Sequence, residues 1–157
     1  MATKIQTDTK VIAPTITLTD ISGAHSIGDC VGGKITFLNC SRYGVLTGQI
    51  RGLLVSDLDG NAKNLDLILF SSDPSATTFT DNAALDIADA DLTKIVTYIE
   101  MTTHKGFTDN SVTYSEDLSR VFETSSDMAL YGTLIAREAR TETNAASIQI
   151  KLKVFQD

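Results

Sequence analysis

The chain has 157 residues, of which 42% are hydrophobic and 21% charged, with a formal net charge of −7. A chain of this length buries about two-thirds of its unfolded surface, enough for one core and too little for two. The hydrophobic content excludes global disorder and the acidic balance argues against a nucleic-acid binder. Apolar runs such as Leu53-Leu54-Val55 and Ile68-Leu69-Phe70 fall far short of the roughly 20 residues of a membrane helix.

Residues 1–10 carry no hydrophobic periodicity, with Ile5 as their apolar member before Val11. Met1-Ala2-Thr3-Lys4 runs into Gln6, Thr7 and Asp8 and not into the apolar stretch of an export leader, so synthesis without an export address is expected. An extended N-terminal arm is predicted here. Its Lys4, Ile5 and Lys10 would engage a neighbouring chain by strand addition. The folded domain is then 11–157.

From there the period is two. Ile16 and Leu18 alternate with threonines, and further strands are predicted at Lys34–Leu38, around Ile50 and Leu54, and through Leu65, Leu67 and Leu69. Others follow at Ile95–Met101, Ser111–Tyr114 and Arg120–Glu123, and through Met128, Leu130, Gly132 and Leu134. The clearest alternation is the last, Ile148, Ile150, Leu152 and Val154 against Gln149, Lys151 and Lys153. Roughly one residue in seven is threonine, which suits a half-solvated pleated surface. Turn chemistry separates the runs at Gly32-Gly33, Asp59-Gly60-Asn61 (read as a type I′ hairpin turn), Asp73-Pro74-Ser75, Thr108-Asp109-Asn110, Ser125-Ser126-Asp127 and Thr143-Asn144. Eight to nine short strands between such turns predict an all-β protein, an antiparallel β-sandwich of jelly-roll-like form.

One stretch breaks the pattern. Thr80 to Leu92 is rich in Ala and Asp, and Asp81 and Asp89 are suited to capping short helical turns. A short helical edge insertion is predicted over Asp81–Leu92, with Leu85, Ile87 and Leu92 tucked against the sheet edge. Phe79-Thr80-Asp81-Asn82 recurs as Phe107-Thr108-Asp109-Asn110, but the flanks diverge and no repeat architecture follows.

The charge is uneven. Eight aspartates between Asp57 and Asp91 face only Lys63, which accounts for the whole net charge, so one negative surface sector of solvated turns is expected. A cation shared by Asp86, Asp89 and Asp91, with Asp57 or Asp59 as companions, is the alternative use of these acids. Asp57-Leu58-Asp59-Gly60-Asn61 misses the calcium-loop spacing, because its glycine comes two places early and Ile68 stands where the bidentate acid belongs. No metal is assigned.

Catalytic chemistry has little to stand on. His25, Asp29 and Cys30 form the one writable nucleophilic group, but they lie on a Gly-flanked loop with no nucleophile-elbow spacing. His104 is read as part of a turn and given no role. Cys30 and Cys40 lack metal spacing and are expected to be buried, reduced thiols. No phosphate loop accompanies Gly32-Gly33-Lys34, so no cofactor is assigned. Tyr43, Tyr98, Tyr114 and Tyr131 are the rings on which a sugar could stack, though core or rim packing is their ordinary fate.

Three segments carry a family resemblance: Gly28-Asp29-Cys30-Val31-Gly32-Gly33-Lys34-Ile35-Thr36-Phe37, Asp66-Leu67-Ile68-Leu69-Phe70, and the run from Ser75 to Leu92. Together they resemble a family of virion-associated proteins encoded among the head genes of tailed bacteriophages. The resemblance runs from about Gly28 to the C-terminal strand. Phe79-Thr80-Asp81-Asn82-Ala83-Ala84-Leu85-Asp86 is its most specific part, whereas His25 and the Thr-rich arm depart from the pattern. It brings no catalytic residues. It implies a capsid decoration or cement protein, made in the host cytoplasm and placed on the virion surface, with the major capsid protein as partner. Self-association as a homotrimer, without nucleic acid or membrane, is expected with it. The alternative is a head-fibre or tail-associated β-sandwich that recognises host glycans.

Overall fold

The structure, a computed structural model, describes residues 9–12, 18, 21, 23–143 and 147–156. The strands are β1 (Thr9–Ile12), β2 (Gly23–His25), β3 (Cys30–Phe37), β4 (Thr47–Asp57), β5 (Leu65–Phe70) and β6 (Ile95–Met101). They continue with β7 (Thr103–Gly106), β8 (Ser111–Ser115), β9 (Arg120–Glu123), β10 (Leu130–Ala136), β11 (Arg140–Glu142) and β12 (Ile148–Gln156). The one helix among the described residues is α1, a single turn at Asp89–Leu92.

Two antiparallel sheets form the body. One has the order β1-β12-β4-β8-β7, with β9 also paired to β4, and the other β3-β10-β5-β6. A short ribbon joins β2 to β11, Arg140 opposite His25. Period-two alternation explains the layering. Ile148, Ile150, Leu152 and Val154 of β12 and Ile50, Leu53 and Val55 of β4 face inward, meeting Val31, Ile35, Leu65, Leu67, Leu69, Leu130 and Leu134 of the other sheet in one cluster. The antiparallel β-sandwich expected from the alternation is therefore the observed fold.

The Asp59-Gly60 turn is not a hairpin. The chain leaves one sheet at Asp57 and enters the other at Leu65, so this loop crosses between sheets. Gly60 takes φ +68°, the left-handed region that favours glycine, and lies against the backbone of Asp109 and Asn110. His104 lies in β7 and not in a turn. The predicted strand around Ile16 lies outside the described residues, but Leu18 beside it is buried, and its side chain fills the space over Gly32.

Thr9 and Lys10, assigned to the arm, belong to β1, where Lys10 stands opposite Val154. Lys4 and Ile5 lie outside the described residues.

The expected insertion is longer than the predicted stretch: it runs from Ser71 to Lys94, between the neighbouring strands β5 and β6, and crosses the outer face of their sheet before it covers the edge at β3. Phe79, Leu85 and Ile87 pack on Ile68, Phe70 and Ile135 of that face, with the Phe70 and Phe79 rings edge-on at 6.0 Å. Leu92 is half exposed. The segment then reaches the far edge strand. Cys30 N–H donates to Ala83 O (2.9 Å), Asn82 N–H to Cys30 O (3.2 Å) and Leu85 N–H to Gly28 O (3.1 Å). α1 starts at an Ala88 N-cap, so neither Asp81 nor Asp89 caps it.

Candidate functional site

His25 is buried at the end of β2, not on a surface loop. Its Nε2 lies 2.8 Å from Asp81 Oδ1, and the same oxygen accepts the Gly32 N–H at 2.7 Å. Asp29 serves its own turn, accepting the Ser26 N–H at 2.7 Å. Burial pushes the Cys30 thiol up, which keeps it protonated and poorly nucleophilic. His25, Asp29 and Cys30 are thus not assembled as a triad. His25 and Asp81 instead form a clasp that ties the insertion to β2 and the edge of β3. Asp81 was legible only as part of a loop, since its partners lie 49 and 56 residues away. Cys30 and Cys40 are both buried thiols, and Cys40 Sγ donates to Phe37 O at 3.1 Å.

The acids Asp86, Asp89 and Asp91 do not converge. Asp91 has a fully buried side chain whose Oδ2 accepts from Ala76 N–H (3.0 Å), Thr77 N–H (2.7 Å) and Thr77 Oγ1 (2.7 Å). Lys94 Nζ stands 2.8 Å from the other oxygen, and its ammonium, with the Thr77 donors, holds the Asp91 carboxyl below the usual range. Asp86 and Asp89 are exposed. Among the described residues the one acidic trio with converging oxygens is Asp57, Asp59 and Glu142, within 4.8 Å of one another.

Two of the three, Asp57 and Glu142, hold a buried guanidinium. Arg140 donates to Asp57 Oδ2 at 2.6 Å and to Glu142 Oε1 at 2.5 Å. Ser147 donates to Glu142 Oε2 (3.0 Å), Asn61 Nδ2 to Glu142 Oε1 (3.2 Å) and the Asp59 N–H to Asp57 Oδ1 (2.8 Å). Asp59 accepts from Thr143 N–H (3.0 Å) and Thr143 Oγ1 (2.6 Å). Burial raises the Glu142 carboxyl, outweighing Arg140, whereas the Thr143 donors bring Asp59 down against its own desolvation. Arg140 occupies the centre of charge, so the arrangement reads as a polar lock joining the β4–β5 crossover, β11 and the start of β12.

The expected acidic sector is largely neutralised in place. Asp57 and Asp66 are buried against Arg140 and Arg137, Asp91 is paired with Lys94, and Asp73 with Lys34 at 2.5 Å. Tyr98 and Arg137 also hydrogen-bond around Asp66, the guanidinium lying over the Tyr98 ring at 5.5 Å. The exposed acids Asp73, Asp86, Asp89 and Glu100 remain on the covered side of the sandwich. The other outer face, on β12, β4 and β8, is bare among the described residues.

No known family matches the chain, and no curated protein is similar enough to count as a relative.

Proposed function

We propose that the protein is a structural component of a bacteriophage virion, a cement protein on the outside of the head that stabilises contacts between copies of the major capsid protein. The observation that carries this reading is the strand order. Taking β1, β3, β4, β5, β6, β8, β10 and β12 in turn, one sheet reads first-eighth-third-sixth and the other second-seventh-fourth-fifth. This order supports reading the sandwich as a jelly roll, an architecture that recurs in viral shell and lectin domains. The resemblance of Gly28–Phe37, Asp66–Phe70 and Ser75–Leu92 to phage head proteins supports the same reading.

The mechanism is mass action. A domain whose polar clusters are locks stabilises a shell by binding its assembled form and not its parts. The site assigned here is an interaction surface, and the chain is read as no enzyme. It acts as a homotrimer, with the segment before β1 laid along a neighbour. Co-sedimentation of the purified chain with heads lacking it tests the reading. Saturable pelleting supports it, and a chain that stays in the supernatant overturns it. A second chain starting at Thr9, which keeps β1 intact, tests the arm alone.

Tyr43, 91% exposed between β3 and β4 beside exposed Leu38 and Val45, favours glycan recognition by a head fibre or tail as the second reading. A glycan-array signal lost in Tyr43→Ala distinguishes it.

A further inference from the structure

We propose that the bare outer face of β12, β4 and β8 is the docking surface, and that its partner is an acidic protein surface; the identification of that partner with the phage shell rests on the decoration reading above. The two outer faces of the sandwich differ in kind. One is sealed by residues 71–94 of the chain itself. On the other, the register aligns outward-facing side chains in rows: Lys151, Leu54 and Tyr114 in one, Gln149, Ser56, Val112 and Lys105 in the next, and Phe155, Gln49 and Val121 in a third.

Charge selects the occupant. This face carries Arg51, Lys105, Lys151 and Lys153 against Glu123 and the neighbouring Glu116 among the described residues, in a chain of net charge −7. On the opposite side exposed Asp86, Asp89 and Glu100 stand beside the Lys34–Asp73 and Arg137–Asp66 pairs, which leaves that side acidic. An approaching acidic surface is therefore oriented with this face toward it and the acidic side away. The cations are held in place. The Arg51 guanidinium lies over the Phe155 ring at 5.4 Å, and Lys153 pairs with Glu116 at 3.0 Å. Gly52 leaves the Lys153 stem room to cross β4, since a Cβ there would sit 3.3 Å from Lys153 Cδ. Leu54, Phe155 and the exposed Val121 lie among these cations. Apolar side chains interleaved with cations on a flat sheet face suit a protein surface and not a strip that tracks phosphates.

The test uses the full chain, a Lys151→Glu/Lys153→Glu variant, a Lys151→Gln variant that leaves the Lys153–Glu116 pair intact, and an Asp86→Lys/Asp89→Lys control on the opposite side. Each is measured against heads lacking the protein, and against immobilised polyglutamate and duplex DNA at low and moderate salt. The expected result is at least a tenfold loss of both head and polyglutamate binding in the double reversal. A smaller loss is expected in Lys151→Gln, none in the control, and salt should weaken the wild type. Reversal variants that bind heads like wild type overturn the docking face while leaving decoration standing. Polyglutamate binding that depends on this face, without head binding, supports the face and overturns decoration. Tighter retention on DNA than on polyglutamate, or self-association abolished by the reversal, overturns the proposed partner.

Discussion

At the scale of single residues, two positions show how closely neighbouring strands are packed within each sheet. A Cβ at Gly132 would meet Ile68 O at 2.6 Å and Leu69 Cδ2 at 2.9 Å, and one at Gly48 would meet Phe122 Cζ at 2.6 Å. Backbone, not a flexible side-chain tip, blocks the first. Gly132→Ala is expected to cost about 1–3 kcal/mol by overpacking, read as a lower denaturant midpoint at unchanged slope. Tyr131 gives a spectroscopic check. Its hydroxyl donates to Asp127 Oδ2 at 2.6 Å, and the neighbouring carboxylate pushes the phenol up to about 12. In Asp127→Asn the phenolate absorbance should gain a component titrating near the ordinary value of about 10. A titration unchanged from wild type would contradict the assignment. The glycine contacts were illegible in the sequence because each joins residues of different strands. Gly132 showed only as a small residue within an alternating run.

At the scale of elements, what was legible was what local periodicity encodes. Alternation located β6, β9 and most of β12 because burial on one face repeats every second residue. It missed β2 and β11, which are three residues each and too short for a period. The insertion was legible as a break in the pattern, but its path was not. Its course follows from Asp81 reaching Gly32 and His25, a pairing that no local signal carries. The polar lock escaped for the same reason, Arg140 being 83 residues from Asp57. Asp81→Ala would leave the His25 ring and the Gly32 N–H without their acceptor, at a cost of about 1–3 kcal/mol. Hydrogen exchange should rise in residues 79–87 before the sandwich opens, whereas Asp81→Asn, which retains an oxygen, should lose less. Equal protection in wild type and Asp81→Ala would rule out the clasp.

At the scale of the whole molecule, stability against pH has two opposing parts. Asp59, Asp91 and Asp127 have carboxyls held below their ordinary value of 3.8, so each adds stability above that value and loses it as pH falls through the lowered one. Glu142 is raised above 4.5, so folding favours its protonated form and stability declines as pH rises from 4.5 through the raised value. Thermal melts should therefore show acid destabilisation below about pH 4 and a shallow decline just above 4.5. Glu142→Gln should remove the decline and leave the acid limb. An acid limb lost with Glu142, or a decline that persists without it, would contradict this partition.

The central claim is that the sandwich stabilises an assembled shell, and calorimetry of heads tests it directly. The transition temperature of heads lacking the protein should rise as purified chain is added and go on rising with the logarithm of its free concentration c after the sites are filled, because a ligand of the assembled state alone stabilises it by RT ln(1 + c/Kd). A transition that stays in place while the chain is fully bound would contradict the account.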